Sequence, residues 1–216
     1  MRSIEDMPTA VPAMQQHLFG EPEQDPESSQ WWTPLWLALK AASLMTVGAR
    51  IIEPSCGSGN LIEALLRLGH DPCDIVGVER DPAWAKFARE RFGGRVTILC
   101  ADFLDPSLSG LGLFDECLQN PPFEEGLHEA FVLRALDLAP TVVGVLPVSI
   151  EYGKDRDAGL WSQARVEFRA RLPERVKYGG DHSASFDTVA LRIRRRLETR
   201  RLNETVTVAE EVWRKS

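Results

Sequence analysis

The chain has 216 residues, 44% of them hydrophobic, and a formal net charge of −7 at pH 7. This length and composition allow one ordered domain with a sizeable core, and the negative charge argues against a protein that binds nucleic acid over its whole surface. No segment approaches the roughly 18 consecutive apolar residues of a membrane-spanning helix, and the N-terminal residues lack the apolar core of a secretory signal. We therefore expect a cytoplasmic protein with no membrane partner.

The four cysteines stand singly in apolar segments and lack the paired spacing of a metal site. The sequence therefore predicts buried thiols, without disulfides and without a metal centre. These cysteines are Cys56, Cys73, Cys100 and Cys117.

Changes in composition along the chain set the predicted boundaries. Residues 1–30 are rich in Pro, Glu and Gln and show no sustained period, which predicts a mobile N-terminal arm. Residues 31–200 form the predicted domain. Residues 201–216 carry no chemical signal, so we expect a C-terminal tail or helix there.

Helices and strands alternate along the predicted domain. A helix with regularly spaced apolar residues runs through Leu44, and the following elements alternate in type. This alternation predicts an α/β fold with a doubly wound, mostly parallel sheet, in which ligands bind beyond the carboxyl ends of the strands. The predicted elements after the first helix are the strand "ARIIE", the helix "LIEALLRLG", the strand "DIVGVER", the helix "DPAWAKFARERFG", the strands "VTILCAD" and "LFDECLQ", the helix "LHEAFVLRALDLA" and the strand "TVVGVLPVSI".

Polar residues end four of the predicted strands: Glu53, Glu79, Asp102 and Asn120. The first of these strands runs into "EPSCGSGN", whose glycines allow the backbone to approach a ligand at a helix N-terminus. A nicotinamide site has a similar turn followed by an acid about 20 residues later. In this chain, however, Glu53 precedes the glycines and would repel a pyrophosphate, and Ile62 occupies the place of the third glycine. The pattern therefore predicts a zwitterionic or cationic ligand.

The segment "QNPPFEEG" leaves a predicted strand through two consecutive prolines. Each proline removes a backbone donor and fixes one φ angle, whereas a solvent-facing turn is made more easily with Gly or Asp. The two prolines therefore indicate a role beyond turning the chain.

Four segments, "EPSCGSGN", "VGVERDP", "CADFLD" and "QNPPFEEG", resemble in this order the successive motifs of class I S-adenosylmethionine-dependent methyltransferases. The "NPPF" element resembles the catalytic motif of enzymes that methylate an exocyclic or amide nitrogen, above all N6-adenine methyltransferases. The segment "HSASFDTVALRI" resembles the late strand of small prophage-type adenine methyltransferases. The resemblance implies a Rossmann-like fold with a late antiparallel strand, S-adenosylmethionine as cofactor, and methyl transfer to N6 of adenine in DNA with short or relaxed sequence specificity.

The resemblance also assigns cofactor-binding roles. Glu53 and the backbone of the glycine turn would hold the methionine part, and Glu79 would accept hydrogen bonds from the ribose hydroxyls. Asp102 would accept from the adenine amino group of the cofactor, and Thr33 and Pro34 would close over the methionine end. The complete implied cofactor set is Thr33, Pro34, Glu53, Pro54, Cys56, Gly57, Gly59, Glu79, Arg80, Asp102, Phe103 and Asn120.

The implied catalytic residues are Asn120, Pro121, Pro122 and Phe123. An adenine amino group is a poor nucleophile because its lone pair is delocalised into the ring. If the Asn120 side-chain carbonyl and the Pro121 backbone carbonyl both accept from this amino group, its lone pair can face the methyl group, and the prolines hold the acceptors in place. Phe123 would stack on the target base, which in a duplex must first be flipped out.

The substrate is less tightly specified than the reaction. The family motif most often ends in Tyr, and this chain has Phe. Phe at this place also occurs in enzymes that methylate guanine N2 in ribosomal RNA, and Asn-Pro-Pro-aromatic occurs in those that methylate a glutamine amide of release factors. Methylation of RNA or of a protein amide, and a non-catalytic methyltransferase-like binding protein, therefore remain alternatives.

A basic segment follows the last motif. From Gln163 to Arg201 there are 11 Lys and Arg against 5 Asp and Glu, a formal charge of +6. Basic groups interleaved with an aromatic residue suit phosphate contacts and stacking, so residues 151–186 are a predicted substrate-recognition insertion. A connecting helix whose Trp packs in the core is the alternative interpretation. The predicted nucleic-acid-binding residues are Trp161, Arg165, Arg169, Arg171 and Lys177.

Overall fold

A computed structural model of the chain describes residues 32–124, 126–172, 175–176, 187–196 and 208–214. The predicted N-terminal arm, residues 1–30, lies outside the described residues, as does Lys177. Everything that follows concerns the described part of the chain.

A single eight-stranded sheet runs through the described residues, in the order β3-β2-β1-β4-β5-β7-β6-β8. Strands β1 to β5 are parallel, whereas β7 is antiparallel to both of its neighbours, β5 and β6, and β8 is parallel to β6. The prediction of a doubly wound, mostly parallel sheet with a late antiparallel strand is therefore confirmed. The strands are β1 (Ile51–Glu53), β2 (Ile75–Glu79), β3 (Thr97–Cys100), β4 (Glu116–Gln119), β5 (Thr141–Pro147), β6 (Ala164–Arg171), β7 (Thr188–Arg195) and β8 (Ala209–Val212).

Helices cover both faces of the sheet and divide the core into two apolar layers. One layer is formed by α1, α2 and α3, and the other by α4 with the short α6. Strands β1, β4 and β5 are buried throughout, as expected for parallel strands packed on both faces. No helix in the described residues is long and apolar enough to cross a bilayer. The helices are α1 (Leu35–Ala42), α2 (Asn60–Arg67), α3 (Pro82–Arg91), α4 (Leu127–Leu138), α5 (Lys154–Ala158) and α6 (Leu160–Gln163).

The C-terminal segment differs from the sequence prediction. A tail or helix at 201–216 is wrong for residues 209–212, which form β8 at the edge of the sheet. The local sequence, Ala-Glu-Glu-Val, has no strong strand preference, but pairing with β6 satisfies backbone groups that this strand would otherwise leave open. Trp213 then packs on Phe168, with ring centroids 5.9 Å apart. Tertiary pairing therefore overrides local propensity here.

The predicted recognition insertion, residues 151–186, contributes directly to the sheet. Its residues 164–171 form β6, which pairs with β7 on one side and β8 on the other. The pairing with β7 is irregular between Val166 and Phe168. Residues 164–171 are therefore an integral strand of the sheet, and the short helices α5 and α6 precede it.

Gly59, immediately before α2, is required by packing as well as by backbone conformation. Its φ angle is +88°, and a Cβ atom at this position would lie 2.5 Å from Cε2 of Phe92. The Phe92 ring is only 2% exposed, so it cannot move aside into solvent. Gly59 thus allows the start of α2 to approach the end of α3, which sets the position of the glycine turn.

We predict that Gly59→Ala destabilises the protein more than Gly69→Ala. Gly69 has nearly the same φ angle, +89°, but a Cβ there would meet nothing within 4 Å. Gly69→Ala therefore loses only the stability that an alanine at positive φ costs. The further loss of stability in Gly59→Ala measures the clash with Phe92 and should be about 1–3 kcal/mol, as for an overpacked site. Urea unfolding of both variants measures this difference. Equal free energies of unfolding would show that the ring relaxes without cost.

Candidate active site

A cavity of about 320 Å³ opens beyond the carboxyl ends of the parallel strands. It brings together residues from all four sequence motifs, although these are far apart along the chain. From the sequence-predicted set it contains Pro54, Gly57, Glu79, Arg80, Asp102, Phe103, Asn120, Pro121 and Pro122. The remaining lining residues, which sequence reasoning did not single out, are Trp32, Ser55, Asp81, Ala101, Leu104, Leu127 and Phe131.

Glu79, at the end of β2, organises two of the loops around this cavity. Its Oε2 accepts a hydrogen bond of 2.8 Å from the Gly57 backbone N–H, and its Oε1 accepts one of 2.8 Å from the Asp81 N–H. Burial raises the pKa of the Glu79 carboxyl, while these backbone donors act in the opposite direction. Because each carboxylate oxygen can accept more than one hydrogen bond, Glu79 can also bind hydroxyl groups of a ligand.

Glu53, at the end of β1, is fully buried and directly precedes Pro54 and Ser55, which line the cavity. Its Oε1 accepts from the Ser55 backbone N–H at 3.1 Å and from the Ser55 hydroxyl at 3.4 Å, whereas its Oε2 has no hydrogen-bond partner among the described residues. Burial raises the pKa of Glu53 well above its usual 4.5, and the nearby Glu79 adds to this effect. A buried acceptor without a partner is costly, and a cationic ligand group would relieve that cost.

Asn120, at the end of β4, is 8% exposed and reaches the cavity together with the two prolines that follow it. Its Nδ2 donates to the Thr33 hydroxyl oxygen at 2.9 Å. Its backbone carbonyl accepts from the Ser55 hydroxyl at 3.1 Å. The Asn-Pro-Pro turn is therefore held from two sides, by the segment before α1 and by the loop after β1.

Aromatic rings form much of the remaining wall. Phe103 lies against Phe131 of α4, with ring centroids 5.3 Å apart. Trp32 makes an edge contact with Trp84 of α3 at 4.9 Å. The paired tryptophans of "QWWTP" were the sequence signal that could have identified Trp32, since an aromatic residue beside the predicted Thr33 and Pro34 is suited to cover a ligand.

Besides Glu53, five predicted cofactor and catalytic residues lie outside the cavity lining. Cys56 and Gly59 belong to the glycine turn, where the Gly59 N–H donates to the Cys56 carbonyl at 2.7 Å. Pro34 immediately precedes α1, and its carbonyl accepts from the backbone N–H groups of Leu37 and Ala38. Thr33 is 4% exposed and contacts Asn120 instead of the cavity.

Phe123 is the fifth of these residues. Its ring is 6% exposed and belongs to the apolar layer beneath α1 and α2. In this conformation the ring faces the core, so stacking on a target base requires the loop to rearrange. Its stacking role therefore stays a prediction.

Two of the predicted nucleic-acid-binding arginines form ion pairs within the chain. Arg165 forms an ion pair with Glu167 at 3.0 Å, and Arg169 pairs with Glu151 at 2.7 Å. Trp161 packs against the core, and its indole N–H donates to the Ile150 carbonyl at 3.1 Å. Arg171 is exposed at the end of β6. None of the four lines the cavity.

The cysteines only partly follow the sequence prediction. Cys56 and Cys117 are buried, but Cys73 and Cys100 are exposed, and all four are free thiols. The exposed pair lies outside the buried parts of the strands, where an apolar neighbourhood in sequence does not imply burial. Among the described residues no group of three or more His, Cys, Asp or Glu side chains is arranged to hold a metal ion.

The chain is similar in sequence to the 23S rRNA (uracil(1939)-C(5))-methyltransferase RlmD of Burkholderia pseudomallei. The two are 31% identical over 127 residues, which cover 52% of this chain and 26% of the relative. The chain thus spans about a quarter of the length of the curated relatives it matches. No protein-family model matches it.

Solved structures establish the fold. PH1948 from Pyrococcus horikoshii, a candidate RNA methyltransferase, matches with a TM-score of 0.66 at 19% identity, over 87% of this chain and 95% of its own. For lmo1582 from Listeria monocytogenes, a candidate class I S-adenosylmethionine-dependent methyltransferase, the TM-score is 0.67 at 17% identity. The match covers 87% of this chain and 68% of that protein. The M protein of the type I restriction enzyme EcoKI matches with a TM-score of 0.61 at 16% identity, over 81% of this chain and 46% of its own. The chain therefore has the class I methyltransferase fold.

The burial of Glu53 predicts a specific dependence of stability on pH. Its raised pKa means that the folded state favours the protonated carboxyl. The stability that protonated Glu53 contributes is therefore fully present below the usual pKa of 4.5 and is lost as the pH rises through the higher pKa of the folded state. Glu53→Gln, which stays neutral, should therefore gain stability relative to the wild type as pH rises from about 4 to about 8.

Urea unfolding of the ligand-free protein over this pH range measures the effect. Glu90→Gln makes the same chemical change on the solvent-exposed side of α3, where Glu90 faces only Lys86 at 3.8 Å. A stability difference between Glu53→Gln and the wild type that is independent of pH would contradict the prediction.

Proposed function

We propose that this chain is an S-adenosylmethionine-dependent methyltransferase that transfers a methyl group to an exocyclic amino nitrogen, N6 of adenine in DNA. The observation that carries the proposal is the shared cavity: Asn120, Pro121 and Pro122 line the same space as Glu79 and Asp102. Acceptors suited to an amino group thus lie beside acids suited to the cofactor. The class I methyltransferase fold and the order of the motifs support this assignment.

The residues around the cavity fit this cofactor. The space of about 320 Å³ is at the lower end of the range for small-molecule sites. Glu79 offers two carboxylate oxygens for ribose hydroxyls, and Asp102 has an exposed carboxylate suited to an adenine amino group. The Phe103 ring forms part of the apolar wall, which suits an adenine ring. When bound, S-adenosylmethionine supplies a methyl group on a positively charged sulfur.

The charge around the cavity also distinguishes this cofactor from a dinucleotide. Glu53 and Glu79 lie at the ends of adjacent strands, and each one is buried enough for its pKa to be raised. Two carboxyl groups beside a glycine turn oppose a pyrophosphate and attract a cation. The unpartnered Oε2 of Glu53 is a buried acceptor suited to the ammonium end of a methionine group.

The proposed chemistry depends on hydrogen-bond acceptors and not on a strong base. The target amino group donates to the Asn120 side-chain carbonyl and to the Pro121 backbone carbonyl, which directs its lone pair toward the methyl group. As the nitrogen–methyl bond forms, the methyl–sulfur bond would break and leave a neutral thioether, and the positively charged amino group would then release one proton to water. Consistent with this scheme, no histidine, lysine or cysteine lines the cavity in the described part of the chain. Catalysis then comes from preorganised positioning.

The choice of DNA adenine rests on the resemblance of the Asn-Pro-Pro-Phe motif and gains support from the structural likeness to the EcoKI M protein. A second candidate is transfer to an amino nitrogen in RNA, either guanine N2 or adenine N6; the likenesses to RlmD and PH1948 support RNA as the substrate but not the choice of atom. A glutamine amide of a protein is chemically equivalent for the same acceptors. These three substrates differ in the surface that presents the nitrogen, not in the chemistry.

Methylation of a uracil carbon, the activity in the name of the curated relative, suits this cavity poorly. Ring carbon 5 of a pyrimidine becomes nucleophilic when a thiolate adds to the neighbouring carbon, a form of covalent catalysis. In the described residues no cysteine lines the cavity. Cys56 belongs to the glycine turn itself, but burial raises the pKa of its thiol well above the usual value, which keeps it protonated.

The proposed nucleic-acid contacts require competition with ion pairs inside the chain. A phosphate that binds Arg165 or Arg169 must replace Glu167 or Glu151 as the partner. Arg171 has no such requirement among the ion pairs of the described residues and is exposed, so it is the most accessible of the predicted contacts that the structure describes. A binding protein without turnover would not need acceptors and acids in one cavity, which favours the enzyme over the non-catalytic alternative.

The decisive experiment is labelled methyl transfer to duplex DNA, single-stranded DNA, RNA and protein, followed by mass spectrometry of the products. We expect N6-methyladenine in DNA. Asn120→Ala should lower the single-turnover rate by about a hundredfold or more, because one preorganised acceptor is lost, while cofactor affinity stays close to that of the wild type. Val47→Ala, at a 64% exposed position outside the cavity, serves as the control. Methylation by Asn120→Ala at the wild-type rate would refute the amino-nitrogen mechanism.

A separate prediction tests Glu79 without reference to the methyl acceptor. Glu79→Gln replaces one carboxylate oxygen with an amino group, which cannot accept from both the Gly57 and Asp81 N–H groups. Calorimetry should show binding of S-adenosylmethionine weakened about tenfold or more, the usual loss for hydrogen bonds to a charged group. Glu90→Gln on α3 is the matched control. Equal affinities for Glu79→Gln and the control would remove Glu79 from the cofactor site.

A further inference from the structure

We infer that Thr33 is a positioning residue, whose hydroxyl orients the Asn120 carboxamide and which is itself held in place by Asn60 and Arg91. The inference rests on the proposed function, in which the Asn120 carbonyl oxygen accepts from the target amino group. It changes the role of Thr33, which the sequence resemblance places over the methionine end of the cofactor.

The contact between Thr33 and Asn120 joins two segments that are 87 residues apart. Nδ2 of Asn120 lies 2.9 Å from Oγ1 of Thr33, and the two residues are 8% and 4% exposed. Water therefore has little access to this pair. A carboxamide carries its donor and its acceptor on opposite sides of one planar group. With the amino group directed at Thr33, the carbonyl oxygen must point the other way.

The orientation matters because the two halves of the amide have opposite effects on an amino substrate. The carbonyl oxygen can accept a hydrogen bond from the substrate amino group. If the Asn120 NH2 faced the substrate instead, two donors would face each other and no hydrogen bond would form. A hydroxyl can accept from the amino half of the amide or donate to its carbonyl half, so a buried residue in a position to accept from the amino half controls how much of the enzyme is competent to react. Thr33 occupies that position, and it lies outside the lining of the cavity where the cofactor would bind.

Thr33 is in turn held by a hydrogen-bonded chain from α3. The Thr33 backbone carbonyl accepts from Nδ2 of Asn60 at 3.0 Å. Nη1 of Arg91 donates to Oδ1 of Asn60 at 2.9 Å and to the Ser58 carbonyl at 2.7 Å. Because a guanidinium group can only donate, it fixes Oδ1 of Asn60 on its own side and leaves the Asn60 amino group facing Thr33.

This chain connects the glycine turn to the Asn-Pro-Pro turn. Asn60 begins α2 directly after Gly59, and Ser58 lies within the turn itself. Thr33 is therefore hydrogen-bonded on one side to Asn60, next to the glycine turn proposed to bind the cofactor, and on the other side to Asn120, proposed to bind the target base. The placement suits a residue that keeps the two halves of the site in register and does not itself touch either reactant.

The test compares Thr33→Val with Thr33→Ser. Valine keeps the shape of threonine but removes the hydroxyl acceptor, whereas serine keeps the hydroxyl. We expect Thr33→Val to lower the single-turnover rate of methyl transfer about tenfold or more, as loss of a supporting contact loosens a preorganised site. Thr33→Ser should restore most of the rate. Calorimetric affinity for S-adenosylmethionine should stay close to that of the wild type in both variants.

A second measurement does not depend on turnover. The side-chain NH2 signals of Asn120 can be assigned in an NMR spectrum by their loss in Asn120→Ala. In Thr33→Val these signals should shift toward those of an amide without a hydrogen-bond partner, and in Thr33→Ser they should stay near the wild-type positions.

The outcomes separate the inference from the function on which it rests. Unchanged rate and unchanged Asn120 signals in Thr33→Val would overturn the inference alone. A loss of cofactor affinity that equals the loss of rate would also overturn it, because Thr33 would then act as a cofactor contact. A wild-type protein that transfers no methyl group to any of the nucleic-acid or protein substrates would overturn the proposed function, and the inference with it.

Discussion

The parallel strands β1, β2 and β4 end at one edge of the sheet in Glu53, Glu79 and Asn120, which must find polar partners there because the apolar layers on the two faces offer none. The loops at this edge are shaped by that requirement. Glu79 draws in the backbone of the Gly57 turn and of the α3 N-terminus, and Ser55 contacts both Glu53 and the Asn120 carbonyl. The cavity is the space that these hydrogen bonds hold open.

These hydrogen bonds satisfy most of the polar groups around the cavity, but they leave the carboxyl group of Glu53 incompletely compensated. Glu53 keeps one carboxylate oxygen without a partner in a fully buried position, next to the second acid Glu79. Such an arrangement costs stability in the ligand-free protein. It is the kind of local cost that proteins retain at functional sites. In the proposed function, the ligand that relieves it carries a positive charge, which links the stability of the empty site to the choice of cofactor.

The surface outside the cavity is organised by a different principle. Arginines of β6 and β7 are engaged by acids of neighbouring elements, as in the contacts of Arg169 with Glu151 and of Arg192 with Glu116. These ion pairs stabilise the late, antiparallel half of the sheet and its edge strand. They also show why an excess of positive charge in one segment does not by itself identify a nucleic-acid surface. The acids that neutralise these arginines come partly from other segments of the chain, such as Glu116 and Glu151.

The sequence alone was sufficient for the doubly wound fold, because buried parallel strands and amphipathic helices carry their own periodicity. It was also sufficient to predict that Glu79, Asp102 and the Asn-Pro-Pro turn lie around one cavity, since residues that end parallel strands meet at one edge whatever the details of packing. Three features were decided only by tertiary contacts: the core position of Phe123, the pairing of residues 209–212 as a strand, and the contact of Thr33 with Asn120. Each depends on partners distant in sequence, to which a local pattern has no access, because burial, edge pairing and amide orientation are fixed by what lies across the fold.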